Sequence, residues 1–240
     1  MNALTIARRD IASYLQGYSA YLIMAALLFF NGLAFHAWAL QGARYSSDVL
    51  RDCFELCWGF AVATAVLLTM RSVADEHAHG TEVLLRTSVV SDLDIVLGKW
   101  LAGFGMVALY VSLTVHMPLL IFVHGKVSVG HLLVGYLGVL MGGAVAAALG
   151  VFCSALFRNQ LAAGVIAGVL AIFLSIFTWR MADIVDAPFS EVLSYVAIFN
   201  QHTAPLLEGR LPLSSLVFHF TLGGLLIWLS TLVLNGRRWE

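Results

Sequence analysis

Residues 71–99 read RSVADEHAHGTEVLLRTSVVSDLDIVLGK, a run of charged and polar residues that lies between two apolar, membrane-length stretches. Connections between neighbouring helices in a bundle are usually much shorter than this. The run also carries its own helix start and stop signals. Its length and pattern predict a structured segment that docks on another surface, rather than a simple solvated loop.

The overall composition places the chain among membrane proteins. Of its 240 residues, 60% are hydrophobic and 11% are charged, and the mean hydropathy is +0.89. An ordinary soluble domain carries about 25% charged residues. The sequence therefore predicts an all-α membrane protein that crosses the bilayer several times and forms one transmembrane domain.

Six apolar runs have roughly the length of about 20 residues that a helix needs to cross the hydrocarbon core. None of them carries Lys, Arg, Asp or Glu in its central turns, where an ion-coupled carrier usually places a charge. The pattern favours a pathway lined by aromatic, Ser, Thr and Gly residues, and an amphipathic cargo. The runs are residues 18–40, 54–70, 100–123, 132–157, 161–179 and 216–234.

The distribution of basic residues predicts the orientation of these spans. Six spans place both termini on one side, and cytoplasmic segments are enriched in Lys and Arg. With cytoplasmic termini, eight basic residues lie inside and five outside, which predicts a bacterial cytoplasmic (inner) membrane protein with both termini inside. The inside group is Arg8, Arg9, Arg71, Arg86, Lys99, Arg158, Arg237 and Arg238, and the outside group is Arg44, Arg51, Lys126, Arg180 and Arg210.

The amino-terminal run fits a retained span better than a secretory signal peptide. A cleavage site is suggested by Ala37-Trp38-Ala39, but the apolar run before it is far longer than a secretory one. Residues 4–16, which precede the run, place apolar side chains, Tyr14 among them, at helical spacing opposite Arg8 and Arg9. This pattern predicts an amphipathic helix along the inner membrane surface. The alternative is an unstructured basic leader that only sets the topology.

The cytoplasmic segment 71–99 contains the pattern of a short, separate helix. Gly80 is a natural end for the preceding helix, and Thr81 can cap the next one. Glu82 adds a negative charge to the first turn, where the exposed backbone amides favour it. Leu84 and Leu85 then form an apolar patch too small to build a core of its own. A helix of this kind needs a partner surface.

The connection formed by residues 180–215, on the outer side, is also long. It contains an apolar stretch, from Phe189 to Phe199, that is too short to span the bilayer and is followed by Asn200, Gln201 and His202. Such a segment predicts a re-entrant or interfacial helical hairpin. A lid over a pathway is the functional interpretation, and an inert surface segment is the alternative.

Small residues recur four apart in two of the spans. Gly138 and Gly142 form one such pair, and Gly164 and Gly168 form another. Small faces of this kind let helices approach closely. The pattern fits packing within one subunit and packing between two copies equally well.

Histidines and cysteines give only weak signals of chemistry. His116, with Pro118 two residues later, predicts a kink with a locally paired carbonyl, and both His116 and His219 are candidates for lining a pathway. The histidine spacing does not favour a metal site, so we predict no bound metal. Cys53 and Cys57, four residues apart on a helix, have poor geometry for a disulfide.

Together these pieces resemble the permease subunits of type-2 ABC exporters, most closely the gliding-motility-type group. The resemblance covers essentially the whole chain and is strongest in residues 70–76, 80–88, 90–91 and 95–99, with an acidic helix end, Gly-Thr, a leucine pair and Leu-Gly-Lys. Val89 stands where the family commonly has Pro. A looser match near the carboxyl end comprises Ser194, Phe199, His202, Gly209 and Arg237-Arg238-Trp239.

The resemblance implies specific roles for these segments. Residues 81–88 would be the coupling helix that sits in a groove of a separate ATP-binding subunit. Residues 8–15 would belong to the elbow helix, with Arg8, Arg9 and Tyr14, and residues 189–212 to the re-entrant pair. The implied coupling residues are Glu76, Gly80, Thr81, Glu82, Leu84, Leu85 and Ser88.

The resemblance also implies the partners. These are two ATP-binding subunits, a second permease copy or a sister permease, membrane lipid and, as an optional partner, a periplasmic protein, with no nucleic acid. The chain has no Gly-rich phosphate loop ending in Gly-Lys-Ser or Gly-Lys-Thr, so we predict no cofactor on it and no catalytic residues. ATP and Mg would lie in the partner. The alternatives are an ATP-driven mechanical or signalling complex without cargo and an intramembrane hydrolase that uses His116.

Overall fold

A computed structural model of the chain describes residues 3–39, 45–78 and 90–236. The described residues form helices and connecting turns, with no β-strand among them. Part of the predicted coupling region lies outside the described residues, as does the basic aromatic carboxyl end. The affected residues are Gly80, Thr81, Glu82, Leu84, Leu85, Ser88, Arg237, Arg238 and Trp239.

Twelve α-helices and three short π-helical turns make up the described part of the chain. The helices are α1 Ala3–Gln16, α2 Tyr18–Ala34, α3 Ser46–Thr69, α4 Ala74–Ala78, α5 Asp92–Leu113, α6 His116–His124, α7 Val129–Leu156, α8 Gln160–Ile172, α9 Thr178–Ala182, α10 Phe189–Val196, α11 Ala204–Leu207 and α12 Leu213–Gly236. The π-helical turns are Phe35–Ala39, Phe173–Phe177 and Ile198–Thr203.

The prediction of six membrane-spanning helices is confirmed within the described residues. The six spans are Tyr18–Ala39, Ser46–Glu76, Asp92–Val123, Val129–Leu156, Gln160–Ala182 and Leu213–Gly236. The second and third spans each begin eight residues before the apolar run that marks them in the sequence. Their first turns carry charged residues, such as Asp48 and Asp92, which hydropathy assigns to water although the helix already includes them.

Contacts between helix ends give the directions of the spans. Lys99, near the start of α5, bonds to Ser72 just after α3, so these two helices are antiparallel. Ser154, near the end of α7, bonds to the carbonyl of Met70, so α7 runs parallel to α3. We call the end of the bundle with α1, Glu76 and Lys99 the α1 end, and the opposite end, with α10 and α11, the α10 end.

The core of the bundle is α7, packed against α3 and α5. Over an 18-residue apolar stretch of each span, 78% of the residues are buried in α7, but only 22% are buried in the spans that contain α2 and α12. Glycines on α7 make the close packing possible. A Cβ atom at Gly142 would lie 2.1 Å from Trp58 Nε1, one at Gly143 would lie 2.6 Å from Val107, and one at Gly150 would lie 1.8 Å from Thr69 Oγ1.

The small-residue pairs noted in the sequence serve mainly for packing within the chain. Gly138 receives Leu206, Gly142 receives Trp58 and Gly164 receives Met70, each closer than 3.0 Å to the position of an added Cβ. A Cβ at Gly168 would meet no described atom within 4 Å. Three of the four glycines are therefore filled by this chain's own side chains.

The span formed by α5 and α6 breaks where the sequence has His116 and Pro118. Helix α5 ends at Leu113, α6 begins at His116, and His116 Nδ1 lies 2.8 Å from the carbonyl oxygen of Leu113. Pro118 has no backbone N–H to donate, and the His116 ring pairs with the Leu113 carbonyl at the break.

The segment between the fifth and sixth spans is helical but irregular. Helix α10 has no buried residue, whereas Leu206 and Leu207 of α11 are fully buried against the start of α7. His131 Nε2 lies 2.9 Å from the carbonyl of Leu207, and Gly209 adopts φ +79°, a conformation that favours glycine. The chain therefore holds the second half of this segment firmly, while its re-entry into the membrane stays a prediction.

Replacing Gly150 with Ala should destabilise the bundle, because the new methyl group would overlap Thr69 at the α3–α7 contact. Overpacking of this kind costs about 1–3 kcal/mol, more than alanine gains as a helix former. Thermal unfolding in detergent measures the change. The matched control is Gly224→Ala, where an added Cβ meets no described atom within 4 Å. Equal midpoints for the two variants would contradict the packing described.

Candidate functional site

Helix α1 sits directly on the first half of α5, and two glycines make room for it. A Cβ atom at Gly98 would lie 2.7 Å from Ile6 Cβ, and one at Gly105 would lie 3.2 Å from Ile11 Cδ1. Ile6 is fully buried. The two glycines are seven residues apart and share one face of α5, so α1 lies along that face.

A buried ion cluster joins α1, α4 and α5 at the α1 end. The side chain of Lys99 is 2% exposed, and its Nζ lies 2.8 Å from Glu76 Oε1 and 3.7 Å from Asp10 Oδ2. Lys99 Nζ also donates to the backbone carbonyl of Ser72. A buried ammonium group is stable only with partners of this kind. Asp10, Glu76 and Lys99, together with Arg9, are called the Lys99 cluster below.

Arg9 joins the cluster from its more exposed side. Its guanidinium lies 2.9 Å from Asp10 and 3.4 Å from Glu76. Partial burial alone would lower the pKa of Arg9, but the two carboxylates outweigh this and raise it above the ordinary value. Glu76 is therefore shared between Arg9 and Lys99.

Tyr14 provides a second attachment between α1 and the end of α3. Its hydroxyl donates to the carbonyl of Leu68 at 3.0 Å, and the guanidinium of Arg71 lies 5.3 Å from the centre of its ring. Arg71 also donates to Ser19 Oγ at 2.9 Å. Burial raises the pKa of Tyr14, with a further increase from the nearby Asp10 carboxylate. The phenol therefore stays protonated and available as a donor.

Ser154 holds the turn between α3 and α4. Its hydroxyl accepts from the backbone amides of Val73 and Ala74 at 2.9 and 3.0 Å, and donates to the carbonyl of Met70 at 2.9 Å. These are backbone groups that a helix end leaves without partners. The core helix α7 thus fixes the path of the chain towards α4.

The contacts of α1 reach both sides of residues 79–89, which lie outside the described part of the chain. On the amino-terminal side, Arg9 contacts Glu76, and on the carboxyl-terminal side Asp10 contacts Lys99. On the carboxyl-terminal side, the buried side chain of Val90 belongs to one small cluster with Ile6 and Ile95. Helix α1 therefore contacts both flanks of the segment, and this group of contacts is called the junction below.

The sequence identified only part of this junction. Arg9, Tyr14 and Glu76 belong to it, whereas Arg8 is exposed. Asp10, Ser154 and the pairing role of Lys99 were missed. In the sequence Lys99 counted only as an inside basic residue and as part of a Leu-Gly-Lys motif, and its place at the start of an apolar run was the one local signal that it needs acidic partners. The docking roles of Glu76, Gly80, Thr81, Glu82, Leu84, Leu85 and Ser88 stay predictions.

The two histidines proposed to line a pathway lie in different surroundings. His116 is exposed, whereas His219 is 3% exposed, with Nδ1 at 2.7 Å from the carbonyl of Ser215 and Nε2 at 3.3 Å from Thr203 Oγ1. His202, which the sequence marked only through the family resemblance, stacks on Phe218 with ring centres 3.7 Å apart. Burial lowers the pKa of His202, which favours the neutral ring. Pathway lining by His116 and His219 stays a prediction.

Metal chemistry finds no support in the described part of the chain. Within residues 3–39, 45–78 and 90–236, no group of three or more His, Cys, Asp or Glu side chains is placed to hold a metal ion. Cys53 and Cys57 are buried and have free thiols.

Comparison with known proteins gives one family. The family model described as ABC-2 family transporter protein matches residues 57–204, which is more than half of the chain. The matched region includes the second half of α3, the Lys99 cluster residues Glu76 and Lys99, the core helix α7 and helix α10. None of the curated proteins matches the chain.

Replacing Lys99 with Met should destabilise the α1 end, because it leaves the two carboxylates of Asp10 and Glu76 with Arg9 as their one cation in the cluster. Removing one partner of a buried ion pair costs about 3–5 kcal/mol. Thermal unfolding of the purified chain measures the loss. Lys126→Met, which removes an exposed lysine at the α10 end, is the matched control and should change stability by less than about 0.5 kcal/mol.

A double variant separates charge from packing. Adding Glu76→Gln to Lys99→Met removes one of the two carboxylates that Arg9 would otherwise have to neutralise alone, and should restore part of the lost stability, since coupled residues do not act additively. Equal stability of Lys99→Met and Lys126→Met, or no recovery in the double variant, would contradict the cluster.

Proposed function

The chain belongs to the ABC-2 family of transporter proteins, and we propose that it is the permease subunit of an ATP-driven exporter whose energy comes from a separate ATP-binding subunit. It is a multi-pass membrane protein with six candidate spans among its described residues. In this proposal ATP and Mg are bound and used by the partner, and this chain converts their chemistry into movement of a substrate across the membrane.

The observation that carries the proposal is the junction around the Lys99 cluster. Residues 81–88, proposed as the coupling helix, lie in the sequence between two flanks that contact the same helix α1, one through Glu76 and the other through Val90 and Lys99. A force on the coupling helix would therefore reach the start of α5 and the end of α3 together. This is what a subunit driven from outside its own chain requires.

The packing of the junction supports transmission of a force rather than its dissipation. Gly98 and Gly105 bring α1 into direct contact with α5, and Ser154 ties the end of α3 to α7. Close-packed interiors have low compressibility and transmit strain. A small displacement of the coupling helix is then expressed as a movement of whole spans.

The proposal includes orientation and assembly. We place the α1 end in the bacterial cytoplasm, where the excess of basic residues and the ATP-binding subunit belong. Two permease subunits, either two copies or one copy with a sister permease, would work with two ATP-binding subunits. The family motif around residues 80–99 favours the gliding-motility-type group. In this assembly α1 is the elbow helix, and residues 189–212, which begin with α10, form the re-entrant pair.

Leu84 and Leu85 provide the direct test of the coupling helix. Changing both to Asp should abolish co-purification of a co-expressed ATP-binding subunit, because the substitution puts two charges into a predicted apolar contact. Insertion into the membrane should be unchanged, since the segment lies outside the spans. Affinity purification from solubilised membranes measures the association.

The matched control places two Asp residues at the opposite end of the bundle. Ile184 and Leu211 are 77% and 53% exposed there, so Ile184→Asp with Leu211→Asp keeps the charge change but leaves the proposed contact intact. The control should retain the ATP-binding subunit. If the Leu84 and Leu85 variant still retains the ATP-binding subunit in full, the proposal that residues 81–88 dock on that subunit is wrong.

A further inference from the structure

A cavity of about 540 Å³ opens near the α10 end of the bundle, far from the Lys99 cluster. Ligand pockets of proteins usually have volumes of about 300–1,000 Å³ and combine apolar walls with a few convergent polar groups. This cavity has both features. Neither His116 nor His219, the two histidines considered for a pathway, is among its lining residues.

One face of α3 lines the cavity with two carboxylates at one end, called the mouth below, and with Gly59 at the other, called the floor. Asp52, Glu55, Leu56 and Gly59 line it at positions that share a helix face. Because α3 begins at Ser46 at the α10 end, the two carboxylates lie nearer that end and Gly59 lies deeper, about 10 Å further along the axis from Asp52. The lining of the cavity therefore changes from acidic to apolar along α3.

The other walls come from irregular helical turns. Trp38, Ile176 and Phe199 each belong to a different one of the three π-helical turns in the described residues. Phe199 packs on Trp58, with ring centres 4.7 Å apart, so two aromatic rings form the inner wall. Isolated π-helical turns occur frequently at functional sites, because the extra residue redirects side chains.

We propose that this cavity binds an amphiphilic cation, with its positive head at Asp52 and Glu55 and its apolar body along Leu56, Gly59 and the aromatic wall. Carboxylates favour a positive head, and Trp and Phe faces attract cations as well as apolar groups. The inference rests on the proposed function in taking the bound molecule as cargo. An anionic head of the same size would be repelled by both carboxylates.

The neighbouring arginine, Arg51, is the basic residue that a bound cation would share these carboxylates with. Arg51 lies next to Asp52 on α3 but is not part of the lining. Its Nε is 2.9 Å from Glu55, and its other end is 3.0 Å from Glu208. Arg51 is thus shared between two carboxylates, while both ionisable residues that line the cavity are acidic.

The test measures binding to the purified chain alone, in phosphatidylcholine nanodiscs and without ATP. The probes are radiolabelled octyltrimethylammonium and octyl sulfate, which share an apolar tail and differ in the sign of the head. We expect saturable binding of the cation above the level of empty nanodiscs, and affinity for the anion at least about tenfold weaker. Equal affinity for the two probes would overturn the proposal.

A larger side chain at Gly59, the floor of the cavity, should weaken binding without disturbing the fold. A Cβ atom at Gly59 would meet no described atom within 4 Å, so Gly59→Leu projects into the cavity. Gly168→Leu is the matched control, since it adds the same side chain to another open position in a span. Affinity should fall at least about tenfold for the first variant and stay unchanged for the second. Equal affinities would exclude the cavity as the site.

The charge at the mouth has its own matched pair. Glu55→Gln removes a lining carboxylate, whereas Glu208→Gln removes the other carboxylate that pairs with Arg51 but lies outside the lining. We expect about fivefold weaker binding of octyltrimethylammonium for Glu55→Gln only, as for a partly exposed ion pair. An equal effect of the two variants would assign the selectivity to long-range charge, and the proposed head contact would be wrong.

These outcomes are independent of the ATP-binding subunit. If the cation binds but the Leu84 and Leu85 variant keeps its partner, the cavity stands and the proposed docking fails. If the cation does not bind while that variant loses its partner, the docking stands and the cavity proposal fails.

Discussion

The structure depends on the need to neutralise one buried ammonium group. Lys99 lies just inside the start of α5 with its side chain 2% exposed, where an unpaired charge would cost several kcal/mol. Its partners come from three different places, Asp10 on α1, Glu76 on α4 and the carbonyl of Ser72. Neutralising Lys99 therefore fixes α1 and the end of α3 against α5.

Glycines complement this electrostatic constraint, because they let neighbouring helices approach closely. Gly98 lets Ile6 approach α5 closely enough for Asp10 to reach Lys99, and Gly150 lets Thr69 approach α7 next to the turn that Ser154 caps. In a membrane the lipid is as apolar as a leucine side chain, so close packing and polar pairs replace the hydrophobic effect between helices. The junction uses both, and each depends on the other.

The sequence predicted the spans better than the contacts between them, for a physical reason. Transfer of a helix into lipid depends on about 20 consecutive residues, so the six spans can be read from local hydropathy. The early start of α3 was missed because Asp48 and Asp52 in its first turns look like loop residues. Pairing of Lys99 with Asp10 joins residues 89 positions apart, and no local pattern reveals such a contact. The cavity was missed for the same reason, since its walls come from four separate segments.

Helix α3 connects the two ends of the molecule. Its first half lines the cavity through Asp52, Glu55 and Gly59, and the chain beyond its last turn supplies Glu76 to the Lys99 cluster. Its 24 residues span about 36 Å as one uninterrupted helix. Because Trp58 and Thr69 are both seated on glycines of α7, bending α3 between them would break close contacts. A displacement of α3 as a rigid helix would therefore carry the carboxylates of the cavity relative to Trp38 and Ile176, which belong to other elements.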